Sequence, residues 1–375
     1  MNTPAGRLLT TGNAMSAKGA LDAGCRFFAG YPITPASQIF GAMTSSLPGM
    51  GGLAVSAPDE ISALALCIGA SLRGVPSMTA TSGPGWCLMI ETFGYALMTE
   101  TPVVVAVVQR LGPSTGAATQ GAQGDIALVS GCTSGAYTFP VFAPSTAAEC
   151  YEDTLRAFAW AERLRTPVVV LSDKEVASTS EVVELGDLPT PLPLQRPAWT
   201  GGPGFQTYGW QRESDVPPFV PVGGSPTVTV TGSAHNRAGL LKKNDPETLA
   251  NLRHLQAKID AVEAEIGYVD VDVPAGARTL VLSYGVSARS SRDAVAAARA
   301  NGNPVGIATV RTLFPIPRTA LAAALQGIEV VVLPEENHGG QYRQALGDVL
   351  AGRQVRPVNK IGAAITPGEI LHAIG

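Results

Sequence analysis

Short continuous apolar runs alternate along this chain with longer segments of helical spacing. Residues 102–108 (PVVVAVV) and 167–171 (PVVVL) are unbroken, mostly β-branched runs, the pattern of strands buried on both faces of a parallel sheet. Residues 59–73 (DEISALALCIGASLR) instead place apolar side chains at helical intervals. Asp59 and Glu60 stand where a helix N-terminus favours acids. Further helices are expected at residues 13–23, 86–99 and 147–164, strands at 25–29 and 76–81, and a tight loop at Gly83-Pro84-Gly85. Such strand–helix–strand alternation argues for an α/β domain on a parallel sheet over residues 1–177.

The alternation stops after residue 177. Prolines crowd residues 188–226, and Gly-Gly pairs stand at 201–202 and 223–224. Residues 178–277 therefore read as a Pro/Gly-rich arm followed by a polar helix at 246–266. The arm either wraps a neighbouring surface or serves as a plain connector. Strands are again expected at residues 279–283, 304–309 and 328–333, with helices at 287–300, 318–325 and 341–351. This gives a second, smaller α/β domain over residues 278–375, and no internal repeat relates it to the first.

Composition narrows the classes of function. Of 375 residues only 15% are charged and 45% are apolar, with a net charge of -4. Soluble chains average roughly 25% charged residues. Ample apolar content argues against disorder, and the acidic balance argues against a basic nucleic-acid binder. The longest strong apolar run falls far short of the roughly 20 residues of a membrane span. No secretory signal pattern opens the chain, so a cytoplasmic protein is expected. So little charge implies either a large compact molecule or a surface covered by something else.

Cys25, Cys67, Cys87, Cys132 and Cys150 form no CxxC pair and are expected to be buried apolar residues. His235, His254, His338 and His372 show no ligand spacing. No metal site is expected on this chain. Neither a GxGxxG nor a GxxxxGK[ST] phosphate loop is present, and no Gly-Asp pair continues as Gly-Asp-Gly.

Sites in open α/β sheets form at the carboxyl ends of strands, and three such ends stand out. In Gly30-Tyr31-Pro32-Ile33-Thr34-Pro35, two prolines hold Thr34 in a stiff backbone; the hydroxyl is either presented to a ligand or caps the next helix. Glu60 is a lone carboxylate beside Ile61, Ala63, Leu64 and Leu66. It either matches the helix dipole or shares a proton with a bound heterocycle. Arg110 follows the buried strand in a stretch, residues 74–124, whose only other charges are Glu91 and Glu100. Its guanidinium either binds an anion in bidentate fashion or pairs with one of those two glutamates. The small residues Thr81-Ser82-Gly83-Pro84-Gly85 would let a ligand approach the backbone closely.

Taken together, GYPITPAS at 30–37, PDE at 58–60, TSGPG at 81–85, and QRLGPSTG at 109–116 followed by QGD at 123–125 resemble the α subunit of the 2-oxoacid:ferredoxin oxidoreductases. Residues 235–255 and the closing Glu335-Glu336-Asn337 with Gly340-Gln341 are also similar to that family. Gly-Pro-Ser-Thr-Gly looks most like its 2-oxoglutarate branch.

The resemblance implies a thiamin diphosphate enzyme divided between chains. Residues 1–177 would form the pyrimidine-binding domain and residues 278–375 a transketolase C-terminal-like domain. A β subunit would hold the diphosphate, Mg2+ and a 4Fe–4S cluster, in an (αβ)2 assembly served by ferredoxin. A 2-oxoacid would be decarboxylated oxidatively and its acyl group passed to coenzyme A.

The resemblance also assigns residues. Glu60 matches the glutamate that hydrogen-bonds the aminopyrimidine nitrogen. Thr34 and Arg110 match the contacts to the 2-oxoacid carboxylate. Pro32, Ser82 and Gly83 would line the cofactor. One departure is that no Lys, Arg or His occurs between Leu111 and Cys150, so a second substrate carboxylate needs Lys18, Arg26 or the partner as its cation. Pyruvate and branched or aryl 2-oxoacids therefore stay open as substrates. The other readings are a non-catalytic α/β scaffold, or another split thiamin enzyme such as a dehydrogenase E1 component or a transketolase half.

Overall fold

The computed structural model describes residues 6–202 and 204–375. Two open sheets organise it. The first runs Thr312–Phe314, Val141–Phe142, Pro167–Asp173, Val103–Gln109, Ser77–Ser82, Phe27–Gly30, Leu53–Ser56. Every neighbouring pair is parallel except Thr312–Phe314 against Val141–Phe142. The central strands Ser77–Ser82, Val103–Gln109 and Pro167–Asp173 are buried at every position, as their continuous apolar or small-residue character requires.

The second sheet runs Gln354–Asn359, Val330–Glu335, Thr279–Ser283, Val305–Val310, Val269–Asp272, with only the last strand antiparallel. Arg7–Thr11 and Ser180–Glu184 form a separate antiparallel pair.

Helices cover the first sheet on both faces. Gly12–Asp22 packs on Ala147–Leu164 on one face, and Glu60–Leu72 packs on Gly83–Met98 on the other. The apolar cluster on that second face is continuous with the core of the second sheet, through Tyr284, Leu313, Phe314 and Tyr342. The two sheets therefore share one apolar cluster, and each has a further cluster on its other face. Gly12 makes the close approach possible, because a methyl group there would meet the Val176 carbonyl and the Cys150 Sγ.

Several elements differ from the sequence expectation. Gly83-Pro84-Gly85 is the first turn of the Gly83–Met98 helix. Proline in the first turn of a helix lacks only an N–H that would go unbonded there. The polar helix is two helices, Pro246–Asp260 and Glu263–Ile266; the helix expected at 341–351 is only Gln341–Ala345, and a further helix, Pro367–Ile374, closes the chain. Val269–Asp272, within the stretch read as arm and helix, is a strand of the second sheet. Thr312–Phe314, between the expected strands and helices of the second domain, joins the first sheet. Cys25, Cys67 and Cys150 are buried as expected, but Cys87 is exposed and Cys132 partly so. Cys87 lies on the outward face of its helix, next to exposed Leu88.

The Pro246–Asp260 helix is fixed to the first domain by buried charge. Lys258 Nζ donates to Glu100 Oε2 at 2.7 Å, and His254 Nε2 lies 3.0 Å from the same oxygen. Burial works against the Glu100 carboxylate, yet Lys258 and His254 hold it well below the usual carboxylate range. Glu100 is therefore committed to this network.

No helix among the described residues is long and apolar enough to cross a membrane.

Candidate functional site

Phe27–Gly30, Ser77–Ser82 and Val103–Gln109 run parallel, so their carboxyl ends share one edge of the first sheet, and the residues singled out above follow those ends in sequence. Asp59 caps the Glu60–Leu72 helix, its Oδ1 accepting from the Ser62 N–H at 2.7 Å. This leaves Glu60 without a capping duty. Its side chain is buried, and no described residue donates a hydrogen bond to it. It lies against the next helix, where a Cβ at Gly85 would collide with Thr81 Oγ1 and stand 2.5 Å from Glu60 Oε1. Glycine at 85 is what admits the carboxylate to this position.

Ser82, fully buried, has an Oγ with no partner in the chain. Next to it, a Cβ at Gly83 would lie 2.8 Å from Asp125 Oδ2. That Asp125 oxygen is also buried and unpartnered. Burial raises the Asp125 carboxyl to about 6, and Arg110 opposes the shift.

Arg110 is buried and has no carboxylate within ion-pairing distance among the described residues. Its Nη1 donates to the Thr34 carbonyl at 2.5 Å and its Nη2 to the Thr115 carbonyl at 3.0 Å, while Nε has no partner. Arg110 thus ties the Pro32–Thr34 loop to the Gly112-Pro113-Ser114-Thr115 loop. Neither glutamate considered as its partner serves: Glu100 pairs with Lys258, and Glu91 points outward. Thr34 is exposed beside it, and Pro32 is also exposed.

A buried network from the second domain holds the far wall. Gln123 Nε2 donates to Asp173 Oδ2 at 3.1 Å and to the Tyr284 carbonyl at 3.2 Å. Its Oε1 accepts from Ser287 Oγ and the Glu336 N–H. Asp173 also accepts from Gln109 Nε2 at 3.0 Å and the Val286 N–H at 2.5 Å. Gln109 in turn accepts the Asp125 N–H at 3.0 Å. Burial pushes the Asp173 carboxyl up to about 8 and Glu336 up to about 7. Gly285, at φ +52, is required because a Cβ there would collide with Asp173.

The sequence alone points to no role for Asp125, Asp173 or Gln109. QGD at 123–125, between loop residues with no periodicity, was the one local signal.

Residues 18–248 match the family model described as "Pyruvate flavodoxin/ferredoxin oxidoreductase, thiamine diP-bdg", and residues 277–369 match "Pyruvate:ferredoxin oxidoreductase core domain II". The chain belongs to the pyruvate flavodoxin/ferredoxin oxidoreductase family. It is 38% identical over 373 residues to the 2-oxoglutarate synthase subunit KorA of Methanothermobacter marburgensis, covering 97% of each chain. A solved structure of 2-oxoglutarate:ferredoxin oxidoreductase from Magnetococcus marinus, with 2-oxoglutarate, coenzyme A and succinyl-CoA bound, superposes with a TM-score of 0.91 at 28% identity. That match covers all of this chain and 65% of the Magnetococcus chain. A split-gene transketolase, at TM-score 0.55 and 14% identity over 97% of this chain and 96% of its own, shares the fold. The architecture is thus a mixed α/β thiamin-diphosphate-binding fold, carrying the family's thiamin-diphosphate-binding domain.

The residues present fit half of that cofactor. Glu60 offers a buried, uncommitted acceptor beside a glycine surface, and Ser82 Oγ is an orphaned polar atom on the same wall. No group of three or more metal-ligating side chains occurs among the described residues.

Proposed function

We propose that this chain is the α subunit of a 2-oxoglutarate:ferredoxin oxidoreductase. The complete enzyme would convert 2-oxoglutarate and coenzyme A to succinyl-CoA and CO2, passing two electrons to ferredoxin. The observation that carries this reading is Arg110, a buried guanidinium without a carboxylate partner, tied by hydrogen bonds to both flanking loops. Two of its donors are spent on backbone carbonyls, so a carboxylate would complete the site through its charge and the remaining N–H directions. The names of the Methanothermobacter and Magnetococcus proteins support 2-oxoglutarate as the acid.

Each residue then has a defined task. Glu60 accepts a hydrogen bond from the pyrimidine ring nitrogen and holds the proton there. Arg110 and Thr34 fix the substrate carboxylate so that the bond to be cleaved keeps one orientation. Ser82 and Gly83 form the wall beside the ring. Bound thiamin diphosphate supplies the electron sink for decarboxylation.

The second carboxylate of 2-oxoglutarate needs another cation, and the chain's own candidates are engaged elsewhere. Lys18 pairs with Asp22 at 2.7 Å. Arg26 precedes the Phe27–Gly30 strand, at the end away from the site, and donates to the Cys25 carbonyl at 2.7 Å. The cation therefore comes from a β subunit, which also supplies the diphosphate site, its Mg2+ and a 4Fe–4S cluster.

The surface supports such a partner. Ile61 and Leu66 on the Glu60 helix, with Leu88 and Tyr95 on the next, are exposed, and Glu91 is the one charge among them. An apolar face of this kind, continuous with the helix that carries Glu60, suits a permanent interface.

The test is co-purification. The chain alone is expected to retain no thiamin diphosphate after gel filtration, whereas co-expression with its β subunit gives a brown complex containing the cofactor. Leu88→Glu should dissociate that complex while leaving the free chain folded. Tight cofactor binding by the isolated chain would contradict the divided site.

A further inference from the structure

We propose that Asp125 is a positioning residue for Arg110, and that it takes up a proton when a carboxylate binds there and gives it back when the carboxylate leaves. This rests on the reading of Arg110 as the substrate-carboxylate site and adds a regulation to it.

The geometry is specific. Asp125 follows the Gln123-Gly124 clamp, and its N–H is fixed by Gln109, the residue next to Arg110. The backbone on either side is held as well, Gln341 Nε2 donating to the Gly124 carbonyl at 2.9 Å and Gln341 Oε1 accepting from the Ala127 N–H at 2.8 Å. Its carboxyl meets the start of the Gly83–Met98 helix, with Oδ2 buried and without a donor. No described residue salt-bridges it, although Arg110 is the cation whose field reaches it.

The other titratable or charged groups facing this carboxyl are few. From the Gly83–Met98 helix comes Cys87, whose thiol is raised by burial and by Asp125 itself. Its own short helix, Ile126–Ser130, brings no charge, and the second domain's Gln341–Ala345 helix presents the neutral Gln341. Glu60 lies against Gly85, two residues along from Gly83.

The charge arithmetic gives the consequence. With the site empty, Arg110 and an ionised Asp125 sum to zero. A substrate carboxylate on Arg110 leaves one uncompensated negative charge in a poorly solvated cleft, which favours a proton on Asp125. That proton comes from solvent, adds to the carboxylate oxygen and returns to solvent, with no bond of the substrate involved. Burial already places the free carboxyl at about 6, so further upward displacement spans neutral pH. The sign follows: the bound state holds more protons than the free state, so binding strengthens as pH falls and weakens as pH rises.

Glutarate tests this directly, because it keeps both carboxylates and cannot be decarboxylated. Its competitive inhibition constant against 2-oxoglutarate would be measured with the complete α–β enzyme between about pH 6 and pH 8. The expected result is a weakening of up to about tenfold per pH unit. Asp125→Asn, a neutral isostere of the protonated form, should abolish the slope and bind glutarate more tightly than the parent at the alkaline end. Should that variant fail to assemble, Asp125→Ser removes the same titration and is read for the same loss of slope. A flat profile in the parent enzyme overturns the proposal, as does a slope that survives both substitutions. Arg110→Gln separates the two readings: if it leaves glutarate binding unchanged, the carboxylate site itself is elsewhere. If it weakens binding while the parent profile is flat, only the role of Asp125 fails.

Discussion

Replacing Glu60 with glutamine is expected to lower kcat of the complete α–β enzyme by about two to four orders of magnitude, the range for loss of a positioned acid–base group. The structure makes the substitution clean. Asp59, not Glu60, caps the helix, and no described residue donates to the Glu60 carboxylate. Glutamine keeps the shape against Gly85 and Thr81 but cannot hold a proton from a ring nitrogen. Thermal stability and complex formation should therefore stay near those of the parent while turnover is lost. Cofactor content measured on the purified variant separates a binding loss from a chemical one. Unchanged turnover would remove Glu60 from the chemistry.

Arg110→Gln carries the second large effect. Loss of a charge-assisted contact is worth about 1.5–3 kcal/mol, or about 10- to 150-fold in kcat/KM, and should fall mainly on KM. Arg110 also ties the Thr34 loop to the Thr115 loop through two backbone carbonyls. Some loss of kcat is expected with it, because a looser Thr34 orients the scissile bond less well. Thr34→Val tests that part alone, with a smaller rise in KM and an intact guanidinium. An Arg110→Gln enzyme with the parent KM would contradict the assignment.

Most of the sheet was legible because continuous β-branched runs such as residues 103–108 have one satisfactory environment, between two layers of helix. The helices Glu60–Leu72 and Ala147–Leu164 were legible from apolar positions at helical spacing with acids in their first turns. The misses were of two physical kinds. Thr312–Phe314 and Val269–Asp272 take their places from pairing with distant strands, which no local pattern encodes. Gly83-Pro84-Gly85 has turn chemistry locally, yet tertiary packing of Glu60 and Asp125 against its two glycines places it in a helix.

The site divides in the same way. Thr34, Glu60 and Arg110 stood out as polar residues in apolar or stiff surroundings. Asp125 lies in a loop whose position is set by Gln109 and by the second domain's Gln341. Its burial could not be read from its neighbours in sequence. The shortage of charge in residues 74–124 corresponds to the buried strands Ser77–Ser82 and Val103–Gln109 and to the exposed apolar face near Leu88.

The central claim is that this chain supplies the Glu60–Arg110 half of a divided 2-oxoacid site. The most direct measurement is viologen reduction by the purified α–β complex, supplied with coenzyme A and a panel of 2-oxoacids. Reduction is expected to depend on both the acid and coenzyme A, with 2-oxoglutarate giving the highest kcat/KM. No reduction with any 2-oxoacid, by a complex shown to contain thiamin diphosphate and its cluster, would contradict it.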